Sequence, residues 1–429
     1  YGRISTRARS SECCIWAGQA DKRYIKIYLK RFKRTWDMNI LLANLTKMVD
    51  DSGGMAKVTC EFAHEMKKRG HQVALVYSDV QTGAFYYPWN QDIPAYDIRH
   101  YKGKTITYPW YLKLKREFYR TFDKQKARTV NDDFAASFLL DNLQDVLDTV
   151  KPDVIVSFQP AASKMLLCDL KTEIPVVTMS HGDPEDYFHT YPKAEIPALE
   201  KSAICQVLLP SFEHHIKDHL PNAKTIVIGN AIPQYDVQAD LSANKSVYKI
   251  LFVGRLSRNH KRPHLLIEAF SSIAKDFPNW IVELWGAENG KGYYKELQLL
   301  IRKNHLENQV FLKGSTNNVA GVLQKGDIFV FPSAYEGFGM ALGEAMSMGM
   351  PAIGYKDCSA VNELIKDGQN GFLCDDGIKP LSQNIKKLVA DQALRIKMGE
   401  NARKSMEKYL PNKIWNRWEE LLKNIIKEN

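Results

Sequence analysis

The stretch "DIFVFPSAYEGFGMALGEAMSMGMPAIG", residues 327–354, decides the fold. It opens on "DIFVFPS" (327–333), an apolar run that reads as a buried strand. A glycine-rich bend follows, then a helical segment over 339–348, then a second apolar run, "MPAIGY" (350–355). Strand, helix and strand in such close succession predict a parallel pair, because a parallel connection has to cross back over the sheet.

The alternation extends in both directions. "YKILFVG" (248–254), "WIVELWG" (280–286) and "QVFLKG" (309–314) read as strands, with helices at 263–276, 292–305 and 316–325. Residues 231–247, "AIPQYDVQADLSANKSV", are polar, aperiodic and rich in turn formers, and are assigned as an interdomain linker. Before it, a first series begins with "NILLANL" (39–45), a glycine turn and helix over 52–70 that stops at Gly70, and "HQVALVYS" (71–78). It continues through "PDVIVSF" (152–158), "IPVVTMS" (174–180), "VLLPS" (207–211) and "TIVIGN" (225–230). The expected architecture is therefore α/β: two Rossmann-like, doubly wound domains, 38–230 and 248–408, facing a central cleft. Residues 409–429 read as a separate amphipathic helix. Ile414, Trp415, Trp418, Leu421, Leu422, Ile425 and Ile426 fall on one stripe that suits either domain.

A chain of 429 residues is too long for one core. At 45% hydrophobic and 25% charged it is globular in composition, which excludes collagen-like and disordered classes. Seven cysteines, none in a CxxC pair, argue against zinc and thioredoxin chemistry and fit a reducing cytosol. No apolar run approaches a membrane span, and no signal-peptide core follows the polar, basic first residues. A cytoplasmic protein is expected, with peripheral attachment at the inner face of the cytoplasmic membrane as a further option.

The net charge of +10 is uneven: residues 1–37 carry ten Lys/Arg against three Asp/Glu. This stretch lacks a clear period and ends just before "MNILLAN", so it is read as a basic extension outside the fold. The alternative is a basic arm that contacts a membrane or partner. A second basic block, 99–128, interleaves ten Lys/Arg with Tyr101, Tyr108, Trp110, Tyr111, Phe118, Tyr119 and Phe122. It is either a solvated helix face over core aromatics or a patch for an anionic membrane surface. Such mixtures also suit single-stranded nucleic acid, but no RNA-binding motif accompanies this one and no nucleic-acid partner is expected.

Ligands of open α/β sheets bind at the carboxyl ends of the strands, which is where the bend after 327–333 lies. Gly337 and Gly339 let backbone approach a ligand closely and free the amides at the start of the next helix, a setting that attracts phosphate. Glu336 and Glu344, eight residues apart, would repel phosphate but suit hydroxyls. Glu344, in the helix, is placed to reach a ribose, and Glu336, in the loop, a sugar. In "FVGRLSRNHKRP" (252–263), Arg255 and Lys261 are placed to neutralise a diphosphate. The alternatives are two solvent-facing glutamates and two surface cations.

The stretch 250–374 resembles the nucleotide-binding half of glycosyltransferase family 4, the retaining group 1 glycosyltransferases with the GT-B fold. The matching pieces are "VGRLSRNHK", "VFLKGS", the opening stretch with its E-x7-E element, and "NELIKDGQNGFL". The resemblance implies that Arg255 and Lys261 bind the donor diphosphate and Glu344 the ribose. It implies that Glu336, with the backbone of Gly337, Phe338, Gly339 and Met340, holds the donor sugar, with Gly314 alongside. One extra residue separates Arg255 from Lys261 relative to the common family form, so Arg258 and Arg262 are alternatives to Lys261. In the first half, "DDSGGMAKVTCEFAHEMKKRGHQVALV" resembles the family's opening, with Gly53 and Gly54 near the diphosphate from the other side. His181, after a strand, occupies a place where members often carry a histidine facing the donor sugar. It would hydrogen-bond a hydroxyl or stabilise an oxocarbenium-like transition state; otherwise it is a turn histidine. Asp183 and Glu185 are candidates to orient the acceptor.

The resemblance implies that 38–230 is the acceptor side and 248–408 the nucleotide-sugar donor side. The implied activity is that of a retaining hexosyl- or N-acetylhexosaminyltransferase, moving sugar from a nucleotide sugar, with uridine the commonest base, to a glycan or lipid-linked acceptor. Bacterial surface polysaccharide synthesis is the expected setting. No D-x-D triplet is present, and no metal or cofactor is expected. The rivals are a sugar-nucleotide epimerase on the same scaffold and a non-catalytic partner subunit.

Overall fold

The computed structural model describes residues 37–290 and 292–428. The basic extension read over 1–37 lies, Asp37 apart, outside the described residues. The first-half strands are β1 (Asn39–Asn44), β2 (Gln72–Tyr77), β3 (Ala95–Asp97), β4 (His100–Tyr101), β5 (Lys104–Thr105), β6 (Val154–Ser157), β7 (Val176–Met179), β8 (Ile204–Val207) and β9 (Thr225–Val227). The second half holds β10 (Tyr248–Val253), β11 (Trp280–Trp285), β12 (Val310–Gly314), β13 (Ile328–Phe331), β14 (Ala352–Tyr355) and β15 (Gly371–Cys374). β4 and β5 form an antiparallel hairpin. The rest make two parallel sheets, ordered β3-β2-β1-β6-β7-β8-β9 and β12-β11-β10-β13-β14-β15. Strands such as β6, β7, β13 and β14 are buried along their whole length, because helices cover both faces of a parallel sheet.

One expectation fails in detail. "VLLPS" (207–211) is not a strand: β8 ends at Val207 and a helix, Pro210–His219, takes over. Pro210 cannot donate to a ladder, and its fixed φ suits the first turn of a helix. Sequence reasoning did not find the edge strands β3 and β15, of three and four residues. Residues 231–247 carry neither helix nor strand.

The C-terminal stripe has a definite partner. The helix Pro411–Glu428 crosses back to the first half, where Phe62 meets Trp415 and Trp418 edge-on at 5.4 and 5.0 Å. Arg69 pairs with Glu419 at 2.6 Å beside them. A helix from the end of the chain thus ties the second half to the first.

Strand order reverses between β1 and β6 in one sheet and between β10 and β13 in the other. Each reversal opens a crevice at the carboxyl ends of the strands. β1 leads towards Gly53 and Gly54, β10 into the Arg255–Lys261 loop, and β13 into the loop holding Glu336. The topology therefore delivers these candidate residues to the two switch points.

The basic block 99–128 divides. Arg99 and Tyr108 pack on Phe134, inside the first half. The helix Trp110–Phe122 has no buried residue, and Trp110, Leu114, Phe118 and Phe122 are 75, 63, 65 and 81% exposed.

Candidate active site

The bend between β13 and β14 turns at Gly339, whose φ of +77° is left-handed and favours glycine. The helix Met340–Ser347 starts there, so its first amides have no intrahelical acceptor. Both glutamates around this turn are buried, and both are paired. Glu336 Oε1 lies 2.5 Å from Lys261 Nζ, and that ammonium also sits 4.7 Å from the centre of the Phe331 ring. Glu344 Oε1 lies 3.2 Å from Lys57 Nζ.

Lys57 belongs to the first half, on the helix Gly54–Lys68, so the second pair crosses the cleft. Burial would lower its pKa, but Glu344, then Glu61, outweigh that and raise it, so the ammonium stays charged. Sequence reasoning missed Lys57. The available signal was its position in the first helical turn after the double glycine.

The loop after β10 settles which cation meets Glu336. Arg262 takes a left-handed conformation (φ +48°), and its guanidinium pairs with Asp376 at 2.6 Å and donates to the Pro332 carbonyl at 3.0 Å. Arg258 pairs with Glu296. Lys261 alone of the three reaches Glu336, so the extra residue is absorbed within the loop. Arg255 is exposed and forms no ion pair among the described residues.

The two halves touch beside this site. A Cβ on Gly337 would fall 2.1 Å from the His181 carbonyl oxygen, so that glycine serves contact between the halves, where the sequence had suggested approach of a ligand. Tyr335 Oη accepts from the Asp183 amide at 2.7 Å and donates to Asp186 at 3.1 Å. Ser359 donates to Asp183 at 3.1 Å, and Ser211 donates to Glu363. Asp183 is further engaged by His215 at 2.5 Å, and Glu185 by His189 at 2.7 Å and His219 at 3.1 Å. These contacts occupy the two carboxylates that were candidates to orient an acceptor.

His181 stacks on Phe158, with ring centroids 5.4 Å apart and planes 7° apart. Burial depresses its pKa to about 4, and its buried Nε2 has no hydrogen-bond partner. A neutral imidazole with a free nitrogen suits a hydroxyl better than it suits a cationic role. Phe338 is buried against Tyr409, with centroids 5.1 Å apart, leaving its main chain for any ligand. Met340 is half-buried as the first residue of its helix. Gly53 caps the helix Gly54–Lys68 and donates to Asp51 at 2.9 Å, and a Cβ on Gly54 would meet open space. Gly314 closes β12 with φ +72° and likewise faces open space.

Two doubly wound parallel sheets, a helix returning from the end of the chain, and charged loops at both switch points define the GT-B architecture. The solved structures agree. Sucrose-phosphate synthase from Thermosynechococcus elongatus superposes with a TM-score of 0.71 at 14% identity, over 91% of this chain and 99% of that one. A TarM variant from S. aureus, solved with fondaparinux, alpha-GlcNAc-glycerol and UDP, gives 0.69 at 16% identity, over 90% and 100%. Two family models match in tandem, "Glycosyltransferase Family 4" over 52–233 and "Glycosyl transferases group 1" over 234–405. The chain belongs to this family of group 1 glycosyltransferases.

Among curated relatives, the poly(glycerol-phosphate) alpha-glucosyltransferase of Bacillus subtilis is 32% identical over 180 residues, 42% of this chain and 26% of that protein. The N-acetyl-alpha-D-glucosaminyl L-malate synthase of Bacillus anthracis is 30% identical over 174 residues, 40% and 44% respectively. The matched regions thus span between a quarter and a half of these relatives' lengths.

Proposed function

We propose that this chain is a retaining glycosyltransferase that moves a hexosyl or N-acetylhexosaminyl group from a nucleotide diphosphate sugar to a hydroxyl of a glycan or lipid-linked acceptor, in bacterial surface polysaccharide synthesis. UDP is the preferred carrier, in keeping with the UDP named with the TarM neighbour. The observation that carries the reading is that two buried glutamates on either side of the helix start at Gly339 are each held by a partly buried lysine, Glu336 by Lys261 and Glu344 by Lys57.

In this reading the diphosphate lies against the first amides of Met340–Ser347, with Arg255 and Lys261 meeting its charge and no metal called for. Glu344 accepts hydrogen bonds from the ribose, and Glu336 from the donor sugar. Neutral His181 holds a sugar hydroxyl from the first half. The bond from the anomeric carbon to the diphosphate oxygen breaks, the acceptor oxygen bonds to that carbon, and the acceptor proton passes to the departing phosphate. Retention is carried over from the family.

The helix Trp110–Phe122 supports attachment to an anionic membrane surface. Trp110, Leu114, Phe118 and Phe122 recur at i, i+4, i+8 and i+12, are exposed, and stand among Lys113, Lys115, Arg116 and Arg120. No helix among the described residues is long and apolar enough to cross a membrane.

The test is nucleotide release by the full chain from a panel of UDP-, GDP- and ADP-sugars without acceptor, with Glu336→Ala as control. Slow release from one donor, lost in the variant, is expected. An epimerase would instead convert the sugar without release. A non-catalytic partner subunit would release nothing in either form.

A further inference from the structure

Glu185, His189 and His219 bring three metal-ligating side chains together on the first half, and the transfer chemistry above uses none of them. One ligand atom from each lies within 4.8 Å of the other two, and among the described residues this is the one group of His, Cys, Asp and Glu so arranged. It is separate from the cavity of about 870 Å³ that Arg99, Asp132, Gln159 and Glu195 help to line in the same half, since none of the three lines that space.

The fold holds the trio from two directions. Glu185 and His189 stand one turn apart on the helix Glu185–His189, so they share a face. His219 ends the helix Pro210–His219, and its ring stacks on Phe188 with centroids 3.9 Å apart and planes 21° apart, which fixes its direction. His189 Nε2 and His219 Nε2 lie 2.7 and 3.1 Å from the same oxygen, Glu185 Oε1. Around a tetrahedral ion with bonds of about 2.0–2.2 Å, neighbouring ligand atoms stand roughly 3.3 Å apart. Three atoms already this close need only small side-chain shifts to face one ion.

Hydrogen bonding alone is a weak reason for the arrangement. The Glu185, His189 and His219 side chains are 40, 64 and 36% exposed, so water can serve each of them and their mutual bonds add little to stability. The same exposure gives an ion a way in and leaves room for water to complete its coordination. Two imidazoles and one carboxylate suit Zn2+ and its transition-metal neighbours, whereas Mg2+ and Ca2+ prefer oxygen alone. The set contains no thiolate, so the lack of a CxxC pair does not bear on it.

We infer that Glu185, His189 and His219 bind one divalent transition-metal ion of the Zn2+ type, which staples the helix Glu185–His189 to the end of the helix Pro210–His219. The place of the staple gives it a structural role. Asp183 and Asp186, on either side of Glu185, accept from Ser359 and Tyr335 of the second half. His215, one turn before His219, already holds Asp183 from the same second helix. The ion adds a second tie between the two helices, directly behind the contact with the second half.

The experiment is calorimetric titration of the metal-stripped full chain with Zn2+ and with Mg2+. One Zn2+ per chain is expected to bind at this site, about a hundredfold or more tighter than Mg2+. His189→Ala and Glu185→Gln are each expected to weaken that Zn2+ about tenfold or more. His214→Ala removes an exposed histidine from the helix Pro210–His219 but outside the trio, and should leave binding unchanged. Thermal unfolding is the second readout: Zn2+ should raise the Tm of the unaltered chain and of His214→Ala, and should no longer do so for His189→Ala at the same concentration. No Zn2+ binding, Mg2+ binding as tight as Zn2+, or Zn2+ binding that survives both trio variants overturns the inference. So does a Zn2+-dependent rise in Tm that His189→Ala retains. The inference does not rest on the transferase reading, which donor release on the same preparations decides separately.

Discussion

Charged groups around the crevice are arranged differently in the two halves. On the C-terminal side Glu336 and Glu344 are buried and already matched, by Lys261 and by Lys57. On the N-terminal side Arg99, Gln159, Asp132 and Glu195 each bury a polar atom that nothing matches. Matched charges hold their geometry before a ligand arrives and exchange one partner for another when it does. Unmatched ones carry a standing cost that only a ligand or water removes. In the reading proposed above the matched side is a preorganised donor site, whereas the first-half residues keep polar atoms that the fold leaves unpaired.

The strongest way to break the contrast is to unmatch the donor side. Lys261→Ala leaves Glu336 buried without its cation, and a loss of about 3–5 kcal/mol of stability is expected, with donor turnover abolished. Lys261→Met with Glu336→Gln should recover most of that stability and none of the turnover. Chemical unfolding and nucleotide release, measured on the same preparations, check both. Next, Gly337→Ala drives a methyl into the His181 carbonyl, which parts the two halves by that much. Donor turnover should fall about a hundredfold, as a small misplacement of reacting groups does, with little change in unfolding.

The cleft-crossing pair sharpens the comparison further. Lys57 and Glu344 are partly and largely buried, and a double-mutant cycle on them should return about 1–3 kcal/mol of coupling in nucleotide affinity or stability. In the first half, Asp132→Asn gives Glu195 an amide donor and removes one acid. The wild-type pair is raised above its unfolded value, so the folded state binds more protons than the unfolded one above about pH 4, and stability falls as pH rises. Lys164, Arg128, Asp133 and Asp169 also act on the pair. The melting temperature of Asp132→Asn relative to wild type should therefore increase from about pH 5 to about pH 8. The smallest effect on stability, within about 0.5 kcal/mol, is expected for Trp110→Ser with Phe118→Ser, because that helix buries nothing. Flotation with anionic liposomes at low salt should nevertheless be lost.

The same contrast explains what the sequence reveals. Glu336, Glu344, Arg255 and Lys261 lie in short contiguous segments after buried strands, so spacing and residue type suffice to find them. Their partners are harder to find. Lys57 meets Glu344 across 287 residues of sequence, and nothing local announces the pair. Gly337 was legible as a glycine that needs to be one, but its reason, the His181 backbone, lies in the other half. Phe338 sits inside a motif yet turns to Tyr409, because the chain uses that side chain for packing. The first-half cavity is almost illegible: it gathers single side chains from well-separated loops and helices, many of them within residues 79–150, which match no family pattern. The C-terminal stripe showed that its helix is amphipathic, but only the fold shows that Phe62 receives it.

One measurement bears most directly on the matched side: titration of the full chain with UDP, repeated for Glu344→Gln and Arg128→Gln. The expected result is that Glu344→Gln weakens UDP about tenfold or more and Arg128→Gln leaves it unchanged. If both variants weaken UDP alike, or if UDP fails to bind the unaltered chain, the account is contradicted.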